Sequence, residues 1–151
     1  MTDAGIQLMQ ALEGLRALTS SDFAALARLH DPQQRFRWTY VTGNQNDRNK
    51  HMTIKVGQGL SGSVLRFGRW AKLDDGSSDR DWARLECPLM LAEQLKTAAA
   101  FPIYLESAIT GILFLGKRTQ SVYQPDEIDH AQEAIPTFAM FLGQLIHEHV
   151  Q

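Results

Sequence analysis

One cysteine, Cys87, stands in a chain of 151 residues. An intrachain disulfide and a zinc cage built from thiolates are both excluded. Nor is there an excess of one charge: 15 Lys+Arg face 17 Asp+Glu, a net of -2. That balance gives no electrostatic footprint for nonspecific nucleic acid binding or for an anionic membrane. No apolar run reaches the ~18 residues that a membrane span needs, and Met1-Thr2-Asp3-Ala4 has no basic region ahead of an apolar stretch, so a cytoplasmic setting is expected. A Ser-His-Asp order, a G-x-S-x-G elbow and a Walker loop are all missing, and with them the visible machinery of nucleophilic and phosphoryl-transfer catalysis; the expectation is a protein that is not an enzyme. The five histidines make no metal motif: His147 and His149 are two apart near the end, while His30, His51 and His130 fall on separate segments. Asp74-Asp75-Gly76 and Asp79-Arg80-Asp81 lack the alternating acids and the closing glutamate of a calcium loop and read as a solvated stretch.

What is present is ordinary globular composition, 44% hydrophobic and 21% charged, with length for one domain over 1–151. Ile6, Met9, Leu12 and Leu15 recur at helical spacing and predict a helix near 4–18, with Asp3 placed to cap it. Phe23 to Leu29 reads as a strand, Asp31-Pro32-Gln33-Gln34 as a turn, and Phe36, Trp38 and Tyr40 alternate with polar residues as in a half-buried strand. After a polar loop, Met52, Ile54 and Val56 alternate again before Gly57-Gln58-Gly59. Leu60, Val64, Leu65 and Phe67 then follow helical spacing up to Gly68, which suits a C-cap. Residues 72–86 show little apolar periodicity and read as a mobile surface loop. Pro88 suits the first turn of a helix through Met90, Leu91 and Leu95. Ala98 to Leu105 and Ala108 to Leu115 form a hairpin, and Pro125 opens a last helix, kinked at Pro136. The sum is an α+β architecture, a central antiparallel sheet packed by N- and C-terminal helices.

Gly57-Gln58-Gly59 runs into a helix start, where unpaired backbone N–H groups carry positive partial charge and can receive an anion. The same glycines equally permit a plain sharp turn. Trp38 sits among strand aromatics, which usually means core, yet a buried indole N–H needs an acceptor. Pro88 opens a second helix start, so two helix starts and an indole together can clamp one small anion. Such a pocket has no Lys or Arg and favours a weakly hydrated monovalent ion. Cys87 has no basic neighbour to activate it and reads as an inert, pocket-lining thiol. On the last helix, Phe141, Leu145 and Ile146 form either a docking face or a surface packed on Ile6, Met9 and Leu12 of the same chain or of a homodimer partner.

Gly57-Gln58-Gly59-Leu60-Ser61-Gly62-Ser63-Val64-Leu65 with Gly68, and Leu95-Lys96-Thr97 before the apolar hairpin, resemble the GAF family, whose fold is PAS-like, over nearly the whole chain. Ser21 to Ala27, Trp38 to Asn44 with Asn46 and Arg48, and Pro88-Leu89 ahead of Ala92 to Lys96 resemble the nitrate-receptor branch of that family. The resemblance implies nitrate as ligand, held by the Trp38 indole, the backbone amides of Leu60 and Ser61 and the amide of Leu89, with Cys87 and Pro88 lining the pocket. It also implies a partner, a sensor histidine kinase of a two-component system, and a role in nitrate respiration. The chain departs from the family pattern at Cys87, where an aromatic precedes the proline, and at Ser61, where a small apolar residue is usual. Other members of the GAF family bind cyclic nucleotides or act as methionine sulfoxide reductases, whose thiol relay needs several cysteines.

Overall fold

The computed structural model describes residues 2–29, 35–74 and 80–150. Helix α1 (Asp3–Leu18) leads into strands β1 (Phe23–Leu29) and β2 (Phe36–Thr42). A short 3-10 helix at Arg48–His51, β3 (Thr53–Ile54), α2 (Gly59–Phe67), β4 (Ala71–Leu73), α3 (Arg80–Leu85) and α4 (Pro88–Glu93) follow, then β5 (Thr97–Leu105), β6 (Ala108–Lys117) and α5 (Pro125–Val150). The six strands make one antiparallel sheet in the order β3-β2-β1-β6-β5-β4. The α+β expectation holds.

The apolar runs Phe23–Ala27, Ala98–Ile103 and Ile112–Leu115 are continuous because these strands are covered on both faces. Leu26, Phe101, Ile103, Leu113 and Leu115 face Leu8, Leu12, Phe138 and Leu142 of α1 and α5. Phe23, Ala25, Ala27, Ala100 and Phe114 face the opposite way, toward Val64, Leu89, Met90 and Leu95. The crossover from β2 to β5 therefore builds a second helical layer, and the site lies in it.

Between the two layers β2 makes one irregular step. Ala27 pairs with Trp38 and Leu26 with Tyr40, which leaves Thr39 as the extra residue of a β-bulge. A regular strand would send Trp38 and Tyr40 to the same face. The bulge instead puts Tyr40 among the α1/α5 side chains and Trp38 among those of α2 and α4. This corrects the expectation of a single aromatic stripe.

Several boundaries also move. Thr2, not Asp3, caps α1: its hydroxyl accepts from the Gly5 N–H at 3.1 Å. The buried stripe of α1 is Ala4, Leu8, Leu12 and Leu15, and Ile6 is exposed. Strand β3 stops at Ile54, leaving Val56 exposed, and Phe67 of α2 points to solvent, while Gly68 takes the left-handed C-cap conformation as expected. Helix α4 ends before Gln94, which is left-handed, so Leu95 is buried beyond it. The stretch 72–86 is no continuous loop: it holds the end of β4 and all of α3, whose brevity hides any periodicity. The turn at Asp31-Pro32-Gln33-Gln34, His30, Asp75, Gly76 and Asp79 lie outside the described residues, as do the side chains of Arg80, Asp81, His147 and His149. Helix α5 runs through Pro136. Phe141 and Leu145 are buried against α1 in the core, so the face expected for docking is internal except at Ile146. Among the described residues no helix is long and apolar enough to cross a membrane.

Candidate functional site

Gly57 and Gly59 have φ of +85° and +68°, the left-handed region where glycine carries no steric penalty. At Gly59 there is a second reason. A Cβ there would lie 2.8 Å from the Glu86 carbonyl oxygen and 3.2 Å from Cys87 Cα. Only a missing side chain lets the first turn of α2 come down onto the backbone that opens α4. Gly62 does the same on the other side, where a Cβ would collide with the Lys55 carbonyl. The glycines thus bring two helix starts together.

Neither start is capped by a side chain. Gln58 at the N-cap of α2 and Cys87 at that of α4 make no capping hydrogen bond, whereas α1 is closed by Thr2. The first N–H groups of a helix have no partner within it. Those of Leu60, Leu89 and Met90 lie by the Cys87 sulfur, which borders the space in front of the two starts.

That space is a cavity of about 40 Å³. Its walls are Trp38 from β2, Ser61 from α2 and Cys87, Pro88 and Leu89 from α4. Its mouth is formed by Met52, Ile54, Lys55 and Gln58. The Trp38 ring stands edge-on to Phe114, with centroids 5.5 Å apart, and Phe114 is edge-on to Phe23. An aromatic stack on the sheet therefore fixes the indole plane. Of the six residues expected at the site, the structure brings five to one cavity. Leu60 is the exception: its side chain is packed in the apolar layer and lines a separate hollow with Gly59 and Ser63.

Cys87 is buried, and burial pushes its thiol up from the usual range, opposed by the backbone amides of Met90, Leu60 and Leu89, which favour the charged sulfur. Of these three residues Leu89 lines the cavity. Lys55 corrects the expectation of a pocket without Lys or Arg: the two-residue β3 ends at Ile54 and carries this exposed lysine past the opening. Ser61 is 95% buried, being 5% exposed, and its hydroxyl has no hydrogen-bond partner. Among the described residues no cluster of His, Cys, Asp or Glu can hold a metal ion.

Helix α4 is short and is held from outside. Glu93, fully buried, receives the Arg118 guanidinium at 2.7 Å and the Gln45 N–H at 2.8 Å on the same Oε1. Arg118 also donates to the Glu93 and Gly43 carbonyls, and the Asn46 side-chain amide donates to the Ala92 carbonyl at 2.8 Å. The polar loop after β2 is thus stitched to the end of α4. Sequence reasoning missed Glu93 and Arg118, which are 25 residues apart and carry no motif. The only signal is the run of Asn and Gln at 44–46, whose side chains suit bonds to backbone.

The family described as GAF domain matches residues 8–142. Among solved structures, NreA from Staphylococcus aureus, mutated in its nitrate binding site, is similar at 26% identity, with 78% of this chain and 88% of that one covered and a TM-score of 0.68. The GAF domain of a phosphoenolpyruvate-protein phosphotransferase from Coxiella burnetii shares 16% identity over 100% of this chain and 89% of its own, with a TM-score of 0.81. That of a two-component sensor histidine kinase from Bacillus halodurans shares 17% over 100% and 99%, with a TM-score of 0.76. At such identities the last two show the fold alone. No curated protein sequence matches this chain.

Proposed function

Because the chain belongs to the GAF domain family, we propose that residues 1–151 act as one sensory module, cytoplasmic and non-catalytic, with nitrate as its ligand. The observation that carries this reading is the cavity itself, set where two uncapped helix starts meet an indole. Helix starts offer N–H groups and partial positive charge, which suits a single negative charge without a full counter-ion. In this reading the Trp38 indole N–H and the amides of Leu60, Ser61 and Leu89 donate to the ion, while Cys87 and Pro88 shape its walls. Lys55 at the mouth raises the local concentration of anions. Similarity to a nitrate-binding protein at 26% identity supports the choice of ion.

Size argues against a cyclic nucleotide. Pockets for ligands of that class measure about 300–1,000 Å³, and this cavity is about 40 Å³. The reductase reading fails on thiol count, since Cys87 is the only cysteine. The signalling partner we propose is a sensor histidine kinase, whose activity the nitrate-free and nitrate-bound forms set differently.

Isothermal calorimetry tests the ligand. Nitrate is expected to bind with one site per chain, and cyclic GMP, cyclic AMP and free methionine sulfoxide to give no heat. Binding of a cyclic nucleotide without nitrate binding overturns the reading.

A further inference from the structure

The Ser61 hydroxyl is the buried polar group of this cavity that the protein leaves unsatisfied. It lies on the third residue of α2, in the first turn of a helix that no side chain caps. Its oxygen has no partner, although the residue is 95% buried (5% exposed) and lines the cavity. Its buried neighbours on the lining, Trp38, Cys87 and Leu89, offer it no carboxylate, and Thr53, Lys55 and Gln58 are exposed at the mouth. An unpaired buried hydroxyl costs free energy that a plain alanine would not. A ligand with acceptor oxygens removes that cost.

Building on the nitrate reading, we propose that the Ser61 hydroxyl is itself a ligand donor, giving its O–H to an oxygen of the bound anion alongside the α2 amides. The site then selects oxyanions through a side chain as well as through backbone. The empty protein is less stable than its alanine variant, and the filled one gains a hydrogen bond the variant lacks. The two effects have opposite signs, and that separates a ligand contact from a structural one.

The test is Ser61→Ala, with Ser63→Ala as a control on the same helix whose residue lines a different hollow. Nitrate, nitrite, formate and bicarbonate are titrated by calorimetry against wild type and both variants, and melting temperatures are recorded with and without each salt. The expected result is about tenfold weaker nitrate binding for Ser61→Ala, a ligand-free melting temperature equal to or above wild type, and no change for Ser63→Ala. Unchanged affinity in Ser61→Ala overturns the proposal, and so does a lowered ligand-free melting temperature with affinity intact, which makes the hydroxyl structural. If wild type binds another of these oxyanions and not nitrate, and Ser61→Ala weakens that binding, the nitrate reading falls while the donor role stands. If wild type binds none of the four, both fall.

Discussion

Trp38 owes its position to its neighbour. Thr39 takes no place in the pairing of β1 with β2, and its hydroxyl turns back to the Arg37 carbonyl at 3.1 Å. The ring that a regular strand would bury with Tyr40 is delivered to the cavity instead. Trp38→Phe keeps the edge-on contact with Phe114 and removes the indole donor. Nitrate binding should weaken by about 1–1.5 kcal/mol with little change in melting temperature; calorimetry beside a thermal melt checks both. By its sequence neighbours alone this residue reads as core, and it is the family resemblance that marks it as a candidate for the site. Its facing was not legible, because a bulge is set by pairing across strands and leaves no mark in the alternation of Phe36, Trp38 and Tyr40. Ser61 was legible only as a backbone position. That its hydroxyl has no partner follows from what surrounds it, and nothing near it in sequence announces those surroundings.

Among the elements, α4 is the one that most needs explanation. Six residues make too few internal hydrogen bonds to hold a helix on their own, so its fixing comes from Glu93, Arg118 and the loop at 43–46. Arg118→Met removes the cation from a carboxylate that is 0% exposed. We expect a loss of about 3–5 kcal/mol in urea unfolding, because the charge left behind is buried and uncompensated. Converting Glu93 to Met in the same chain should recover much of that loss, and a double-mutant cycle measures how much. No recovery shows that Arg118 stabilises through the Glu93 and Gly43 carbonyls rather than through the carboxylate. The long helices α1 and α5 were readable because periodicity accumulates over ten residues or more. Strand β4 and helix α3, at three and six residues, are too short for any period to show, and the charged residues around them read as loop. The hairpin from Thr97 to Lys117 was nearly complete in sequence, since double burial writes itself as an uninterrupted apolar run.

The molecule as a whole has two cores on opposite faces of one sheet, and they answer to different substitutions. Phe141 belongs to the core of α1 and α5 and is 7% exposed, while Ile146 one turn on is 42% exposed. Phe141→Ser should lower the melting temperature by on the order of 10 °C, from a loss of about 3–5 kcal/mol. Ile146→Ser should stay within about 0.5 kcal/mol of wild type. Chemical denaturation of both variants distinguishes an internal face from an exposed one, and equal effects contradict the assignment. Both outcomes leave nitrate binding alone, because the sheet stands between this core and the cavity.

The unpaired Thr39 makes the site depend on strand pairing rather than on residue chemistry. In a strand buried on both faces, each residue's layer is decided by whether its count from the last paired position is odd or even. One extra residue in β2 changes that parity between Tyr40 and Trp38. A chain with the same residues, but with Thr39 paired in a regular ladder with β1, would keep the apolar composition of both cores and carry its indole on the wrong side of the sheet. The facing of the indole is therefore a property of how β2 pairs with β1, which residue-by-residue similarity does not register.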